Sequence, residues 1–319
     1  MIKLKLINKQ LKIFKLFLII ILNFIYIIFN DFYIKINDSN TKVCLCTVGK
    51  VENRYIKEFV QFYEKIGIDK IFLYDNNDLN GERFEEIIND YVNKGFVNII
   101  NFRGLNKVLL KYMNDCYKNN YKNFNWIVFY EIDEYIHLKN YKNIKNYLNN
   151  PKFNNCETIN LNWVFHTDNN LIYYDNRSLF KRFPKIAPII KNKRTYNMVK
   201  SILKGNISNI YIYNTHFLSE KLKACNGFGK RHKIYHQRMP KNDFKYYYID
   251  HFYSKSLEEY VQKINKGCTY FGQNKDYKMR RINIYFSINE KTLNKIYFIQ
   301  KYTGLNLSKI ITNHNNNLY

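Results

Sequence analysis

The sequence predicts an α/β protein built on a doubly wound, parallel sheet. Three observations carry that prediction. Short apolar runs alternate with segments of about ten to fifteen residues whose apolar positions recur at helical spacing, the pattern of strand–helix–strand units. Glycines close the first two helical segments, at Gly67 and Gly95, where a left-handed cap suits a residue without Cβ. Acidic and polar clusters follow the first, second and fourth strands, the edge at which such sheets place ligands.

The elements follow in order after a polar linker over residues 36–42. Val43 to Val48 is a short apolar run fit for a strand buried on both faces. Arg54 to Ile66 carries Ile56, Phe59, Val60, Tyr63 and Ile66 on one helical face. Lys70 to Tyr74 is a second strand, ending in the turn cluster Asp75-Asn76-Asn77-Asp78. A second helix is expected over Glu82 to Lys94, a third strand over Phe96 to Phe102 and a third helix over Lys107 to Tyr121. The fourth strand, Trp126 to Tyr130, runs into Glu131-Ile132-Asp133-Glu134. The second half is less regular. Tyr211 to Tyr213 and Tyr246 to Tyr248 read as strands and core packing, and a helix with an Asn-rich tail is expected from about Ser287. No internal repeat is present.

The chain of 319 residues carries 51 Lys+Arg against 26 Asp+Glu, a net charge of +25. So basic a chain invites a polyanion as partner, because cations that neutralise phosphates release counterions. The composition offers a plainer source. Alanine occurs only at Ala187 and Ala224 while Lys, Asn, Ile, Tyr and Phe abound, as an AT-rich genome produces, and no nucleic-acid partner is expected. With 46% hydrophobic residues the chain has ample material for a packed core.

The N-terminus reads as a lysine-rich flank followed by an apolar run of about 17 residues from Ile13 to Phe29, near the lower limit of the roughly 17–25 that span a bilayer. Bulky, polar Asn30-Asp31-Phe32-Tyr33 offers no cleavage site, so an uncleaved signal anchor is expected, with the body across the membrane from the basic flank. The expected layout is a basic cytosolic terminus at 1–12, the anchor at 13–30, a linker at 31–41, the main domain at 42–285 and a C-terminal helix and tail at 286–319. The location is then a single-pass type II membrane protein, with its body in the Golgi lumen if the host is eukaryotic. Six cysteines in so long a chain make no disulfide framework of the small secreted kind. Cys44 and Cys46 are expected as buried thiols on one strand face, and Cys225 and Cys268 as a pair in an oxidising lumen. There, too, Asn176-Arg-Ser178 and Asn206-Ile-Ser208 become glycosylation acceptors.

The sharpest feature is the carboxylate run at the end of the fourth strand. Carboxylates at i and i+2 there, Glu131 and Asp133, can converge on a hard divalent cation, Mn²⁺ or Mg²⁺, which in turn neutralises a diphosphate. No P-loop, nucleophile elbow or H-E-x-x-H motif competes with it.

Lys50-x-Glu52…Tyr55-Ile56-x-Glu58, Gly67…Tyr74-Asp75-Asn76-Asn77, Trp126…Glu131-Ile-Asp133-Glu134-Tyr-Ile136, Trp163…Asp168-Asn169, Arg177…Arg182-Phe183, Lys200-Ser201…Gly205 and His251…Lys255-Ser…Glu259-Tyr260…Lys263…Gly267 occur in that order. Together they resemble glycosyltransferase family 92 and the similar family 2-like enzymes of the GT-A fold. The resemblance covers roughly residues 42 to 270. It implies a GT-A-type, Rossmann-like mixed sheet with helices on both faces, preceded by the transmembrane helix. It also implies a metal-dependent transferase moving a hexose, galactose favoured, from a nucleotide sugar such as a UDP-sugar to a glycan hydroxyl, with inversion. The family's Asp-x-Asp maps to Glu131 and Asp133, with Glu in place of the first Asp. Asp133, Glu131 and His251 are the candidate metal ligands; Glu52, Asp75, Glu131 and Lys255 are the candidate nucleotide-sugar residues. Asp168 is read either as the base that takes the acceptor's proton or as the head of an Asx turn. The rival to an enzyme is a basic binding protein, for nucleic acid or an anionic glycan or membrane surface, on a degenerate transferase fold.

Overall fold

The computed structural model describes residues 40–188, 198–233, 244–266 and 275–307, together with residues 15, 18–22 and 25. The expected anchor lies for the most part outside the described residues. Residues 18–22 and 25 are helical and exposed, and among the described residues no helix is long and apolar enough to cross a membrane.

The first half delivers the expected alternation. Strands β1 (Val43–Gly49), β2 (Lys70–Asp75), β3 (Val97–Asn101) and β4 (Trp126–Phe129) alternate with helices α1 (Asn53–Lys65), α2 (Glu85–Asn93) and α3 (Val108–Asn120). The four strands pair in parallel, in the order β3-β2-β1-β4. The pleat of β1 sends Val43 and Leu45 to the face covered by α1, where Tyr55, Ile56, Phe59 and Tyr63 pack. Cys44 and Cys46 face Tyr112, Met113 and Cys116 of α3 on the other side. Helices therefore cover both faces, as a largely parallel sheet requires.

Beyond β4 the sheet turns mixed. β5 (Glu134–Leu138), β6 (Thr158–Phe165), β7 (Val199–Lys204), β8 (Ala224–Asn226) and β9 (Tyr247–His251) extend it to nine strands. The order is β3-β2-β1-β4-β7-β6-β9-β5, with β8 also on β6. β7 runs antiparallel to β4 and β6, and β5 antiparallel to β9, while β6 and β9 are parallel. Gly205 ends β7 where a Cβ would fall 1.8 Å from the carbonyl oxygen of Phe124, so the backbones close up only around glycine.

Short helices α4 (Ile144–Leu148) and α5 (Leu179–Arg182) lie along the loops, and α6 (Leu257–Lys266) follows β9. The C-terminal helices α7 (Lys275–Ile288) and α8 (Leu293–Thr303) share an apolar cluster with α6 through Leu257, Tyr260, Ile282, Tyr285, Ile296 and Ile299. The boundary expected at residue 285 thus falls inside α7.

Several details differ from the sequence expectation. The second helix starts at Glu85 rather than Glu82, because Arg103 gathers the carbonyls of Asp78, Gly81 and Glu82 and holds that stretch as a loop. Tyr211 to Tyr213 form no strand; Ile212 is buried while both tyrosines are exposed. Cys46 is not a free thiol but is bonded to Cys116, and Cys225 pairs with Cys156, which the sheet brings within a Cα separation of 5.7 Å. Cys44 is free and buried; Cys268 lies outside the described residues.

Candidate active site

Topology alone assembles the site at the carboxyl ends of β1 and β4. The register of β5 on β9 sets Glu134 opposite His251, so Asp133 lies beside that imidazole, and Phe252 N donates to Asp133 O at 2.9 Å. β7 pairs with β4 through Val128 and Ile202, and its antiparallel course carries Lys200 to the acidic loop.

Each carboxylate there meets a cation. Lys200, 2% exposed, donates to Glu131 Oε1 at 2.6 Å and stands 3.4 Å from Glu134 Oε2. Partial burial of Glu131, whose side chain is 43% exposed, would raise its carboxyl, yet the Lys200 ammonium overrides this and holds the group below its ordinary range. Glu134 is wholly buried, and burial pushes it up to about 8 despite Lys200. Its Oε2 accepts from Glu131 N at 2.9 Å, while Oε1 has no partner. Asp133 is buried too, but Lys263, donating to Oδ2 at 3.0 Å, and His251 hold its carboxyl well below the usual range.

His251 Nε2 faces Asp133 Oδ1 at 3.6 Å, and its buried Nδ1 has no partner. That gap is long for a hydrogen bond. It approaches the roughly 3.0–3.4 Å between neighbouring ligands each about 2.0–2.2 Å from one cation. Burial lowers the His251 pKa, which favours the neutral imidazole that can offer a lone pair. Carboxylate oxygen and imidazole nitrogen are two donors that a divalent cation could share, the carboxylate being the one that suits Mn²⁺ or Mg²⁺. Among the described residues no group of three or more His, Cys, Asp or Glu side chains is placed to hold a metal by itself. Glu131, engaged by Lys200, stands beside this pair rather than in it.

A pocket of about 180 Å³ adjoins the carboxylates, lined by Glu52, Tyr55, Lys255, Glu259, Lys263 and Lys266 among others. Gly49 ends β1 there with no room for a side chain: a Cβ would lie 2.5 Å from Ile132 and 2.7 Å from Phe84. The two loops that frame the pocket hold non-glycine residues in the left-handed region, Val51 at φ 57° and Lys255 at φ 52°. For a β-branched valine this conformation is costly and is retained only where the surroundings impose it. Asn77 Oδ1, accepting from Val51 N at 2.7 Å, supplies part of that hold. Lys255 Nζ donates to Glu52 Oε2 at 2.9 Å and lies 3.5 Å from the centre of the Tyr55 ring. Lys266 donates to the Lys50 carbonyl. Burial among Lys263, Lys255 and Lys50 lowers its pKa to about 8, against the pull of Glu52. Tyr55 Oη, Ser254 Oγ and Glu259 Oε1 line the same pocket, buried and without a partner. Buried polar atoms of this kind ordinarily find one.

Two predicted residues stand apart from this cluster. Asp75 is consumed locally: Oδ1 accepts from the backbone and side-chain nitrogens of Asn77 at 2.9 and 2.8 Å, and Oδ2 pairs with Arg103 at 2.6 Å. Asp168 forms the Asx turn, Oδ1 accepting from Asn170 N at 3.0 Å. Its Oδ2 is taken by Lys295 at 2.7 Å and by the Tyr285 hydroxyl. It lines a separate cavity of about 400 Å³ that shares no lining residue with the lysine pocket.

Lys200 and Lys263 belong to the ordered motifs and Lys266 directly precedes Gly267, yet the sequence gives them no evident role. A lysine between Val199 and Ile202 in an apolar strand was the available signal, since a buried ammonium needs a carboxylate. Lys263 gave the opposite signal, because its i–4 neighbour Glu259 promises a helix-surface pair. In the fold Glu259 turns to buried Arg182 and Lys263 to Asp133.

Helices on both faces of a mixed sheet, with lysines and carboxylates gathered at its strand ends, define an α/β protein. The model of glycosyltransferase family 92 matches residues 39–296, and the chain belongs to that family. A family 92 protein of rice (Oryza sativa subsp. japonica) is 24% identical over 103 residues, covering 30% of this chain and 16% of that protein. One of Ricinus communis is 26% identical over 106 residues, covering 30% and 17%. The matched stretch thus spans about a sixth of either relative. Among crystal structures, S. aureus TarS 1-349 overlays with a TM-score of 0.37 at 13% identity, covering 84% of this chain and 77% of that one. Its complex with UDP-GlcNAc gives 0.38 at 14%, covering 77% and 72%. These are partial overlays.

Proposed function

We propose that this chain is a metal-dependent hexosyltransferase that moves a sugar, galactose favoured, from a nucleotide-sugar donor, a UDP-sugar, to a glycan hydroxyl with inversion. The observation that carries the proposal is Lys263, which lines one small pocket with Lys255 and Lys266 and donates to Asp133, the carboxylate beside His251. In it the lysines receive the diphosphate, and Glu52 and Tyr55 bound the nucleotide end. Preorganised cations aimed at the charge that grows on a leaving diphosphate lower the barrier, since the anomeric carbon passes through an oxocarbenium-like state. A divalent metal held by Asp133 and His251 would neutralise further diphosphate charge. In this reading Glu131, kept ionised by Lys200, accepts from a ribose or sugar hydroxyl. Asp75 acts on the nucleotide indirectly, by fixing the Asn77 turn that holds Val51. A base role for Asp168 requires Lys295 and Tyr285 to release its Oδ2.

The body is proposed to lie across a membrane from the basic N-terminus, in the Golgi lumen in a eukaryotic host. The disulfides Cys46–Cys116 and Cys156–Cys225 support an oxidising compartment. The test is Mn²⁺-dependent turnover of UDP-hexoses by the full-length chain, with Asp133→Ala as the inactive control. Binding without turnover is the outcome a non-catalytic protein would give.

A further inference from the structure

Lys263 occupies two sites at once. Its ammonium donates to Asp133 Oδ2 at 3.0 Å and to Tyr253 O at 3.2 Å, and it lies 4.5 Å from the centre of the Tyr253 ring. The same side chain lines the lysine pocket. It is 32% exposed, whereas Lys200 is 2% exposed between Glu131 and Glu134 and Lys255 is 8% exposed between Glu52 and Tyr55. Lys263 is thus the cation on these carboxylates with room to move.

Asp133 Oδ1, on the other side of the carboxylate, faces His251 Nε2. A divalent cation on that oxygen would stand roughly 4–5 Å from the ammonium on Oδ2, and charges of one sign that close repel strongly away from bulk water. While Lys263 stays on Asp133, the carboxylate is a poor metal ligand. An incoming diphosphate offers the ammonium another anionic partner a side-chain rotation away, in the pocket it already lines.

We propose that Lys263 is an exchangeable counter-ion. It neutralises Asp133 in the absence of donor and releases it to a divalent cation when a nucleoside diphosphate enters the pocket. Metal and nucleotide then bind cooperatively, each raising the affinity of the other by the same factor. The inference rests on the donor-site reading above and adds the order in which that site fills.

The test is Mn²⁺ binding, read from the EPR signal of free Mn²⁺, by the full-length chain with and without UDP. Saturating UDP should tighten Mn²⁺ binding to the wild type at least tenfold. Lys263→Met should bind Mn²⁺ at least tenfold tighter than wild type without UDP, and UDP should then add less than threefold. Lys263→Arg, which keeps the charge, should behave as wild type. Adding Asp133→Asn to Lys263→Met should abolish the gain and so place the metal on that carboxylate. If the melting temperature of Lys263→Met shows misfolding, Lys263→Gln is read by the same criteria. A Lys263→Met chain that binds Mn²⁺ no tighter than wild type, with the UDP-linked gain intact, overturns the exchange and leaves the donor site standing. A wild type that binds neither UDP nor Mn²⁺ overturns the donor site, and the exchange with it.

Discussion

The disulfide between Cys156 and Cys225 ties the segment before β6 to β8 across a sequence separation of 69 residues, with both cysteines buried. Replacing both by alanine removes that cross-link and leaves no polar group behind. In the chain-entropy treatment, closing a loop of about 70 residues restricts the unfolded chain by about 4 kcal/mol at 25 °C. For a domain of this size each kcal/mol moves the melting temperature by roughly 2 °C, so a fall of roughly 8 °C is expected. Thermal unfolding of Cys156→Ala/Cys225→Ala and wild type, both without reductant, reads this directly. Thiol titration of the unfolded, unreduced Cys268→Ala chain supplies the covalent check: Cys44 reacts, and Cys46, Cys116, Cys156 and Cys225 do not. A double variant melting within about 2 °C of wild type, or four further reactive thiols, would refute both the cross-link and the oxidising compartment inferred from it.

Two further predictions concern the charges of the site. Lys266, lowered to about 8, loses its proton as pH rises from 7 to 9, so the pocket's affinity for UDP should fall across that interval and Lys266→Arg should abolish the fall; calorimetric titrations at pH 7 and 9 measure both. Lys200→Met should cost only about 1–2 kcal/mol in urea unfolding at pH 7, because Glu131, its ionised partner, has a side chain 43% exposed and regains water, while Glu134, raised to about 8, is already mostly neutral. A loss above about 4 kcal/mol would instead mean that Lys200 leaves behind a buried, ionised Glu134.

Legibility followed the range over which each interaction acts. The strands and helices from Val43 to Phe129 could be read because local periodicity and glycine caps decide them, and their burial on both faces leaves unbroken apolar runs. The antiparallel additions left no local mark, and the mixed sheet was expected only from the family resemblance. β5, β7 and β9 pair with strands far away in sequence, and no local pattern marks direction. At the site, the sequence identified carboxylates but not their partners. That Asp75 would be consumed by Asn77 and Arg103, and Asp168 by Lys295 and Tyr285, depends on side chains brought in by tertiary packing. Tyr211 and Tyr213 misled for a related reason: aromatic alternation fits a strand, but among the described residues no named strand pairs with that loop. Cysteine pairing was likewise set by the sheet, which brings β8 alongside β6 and Cys225 within reach of Cys156.

Donor turnover decides the matter most directly. The full-length chain is incubated with UDP-galactose and, in parallel, other UDP- and GDP-hexoses, with Mn²⁺ or with chelator, and released nucleoside diphosphate is counted. Release from a UDP-hexose that requires the divalent ion and disappears in a folded Asp133→Ala variant is the expected result. Equal release by that variant, or no release and no binding with any nucleotide sugar, would contradict it.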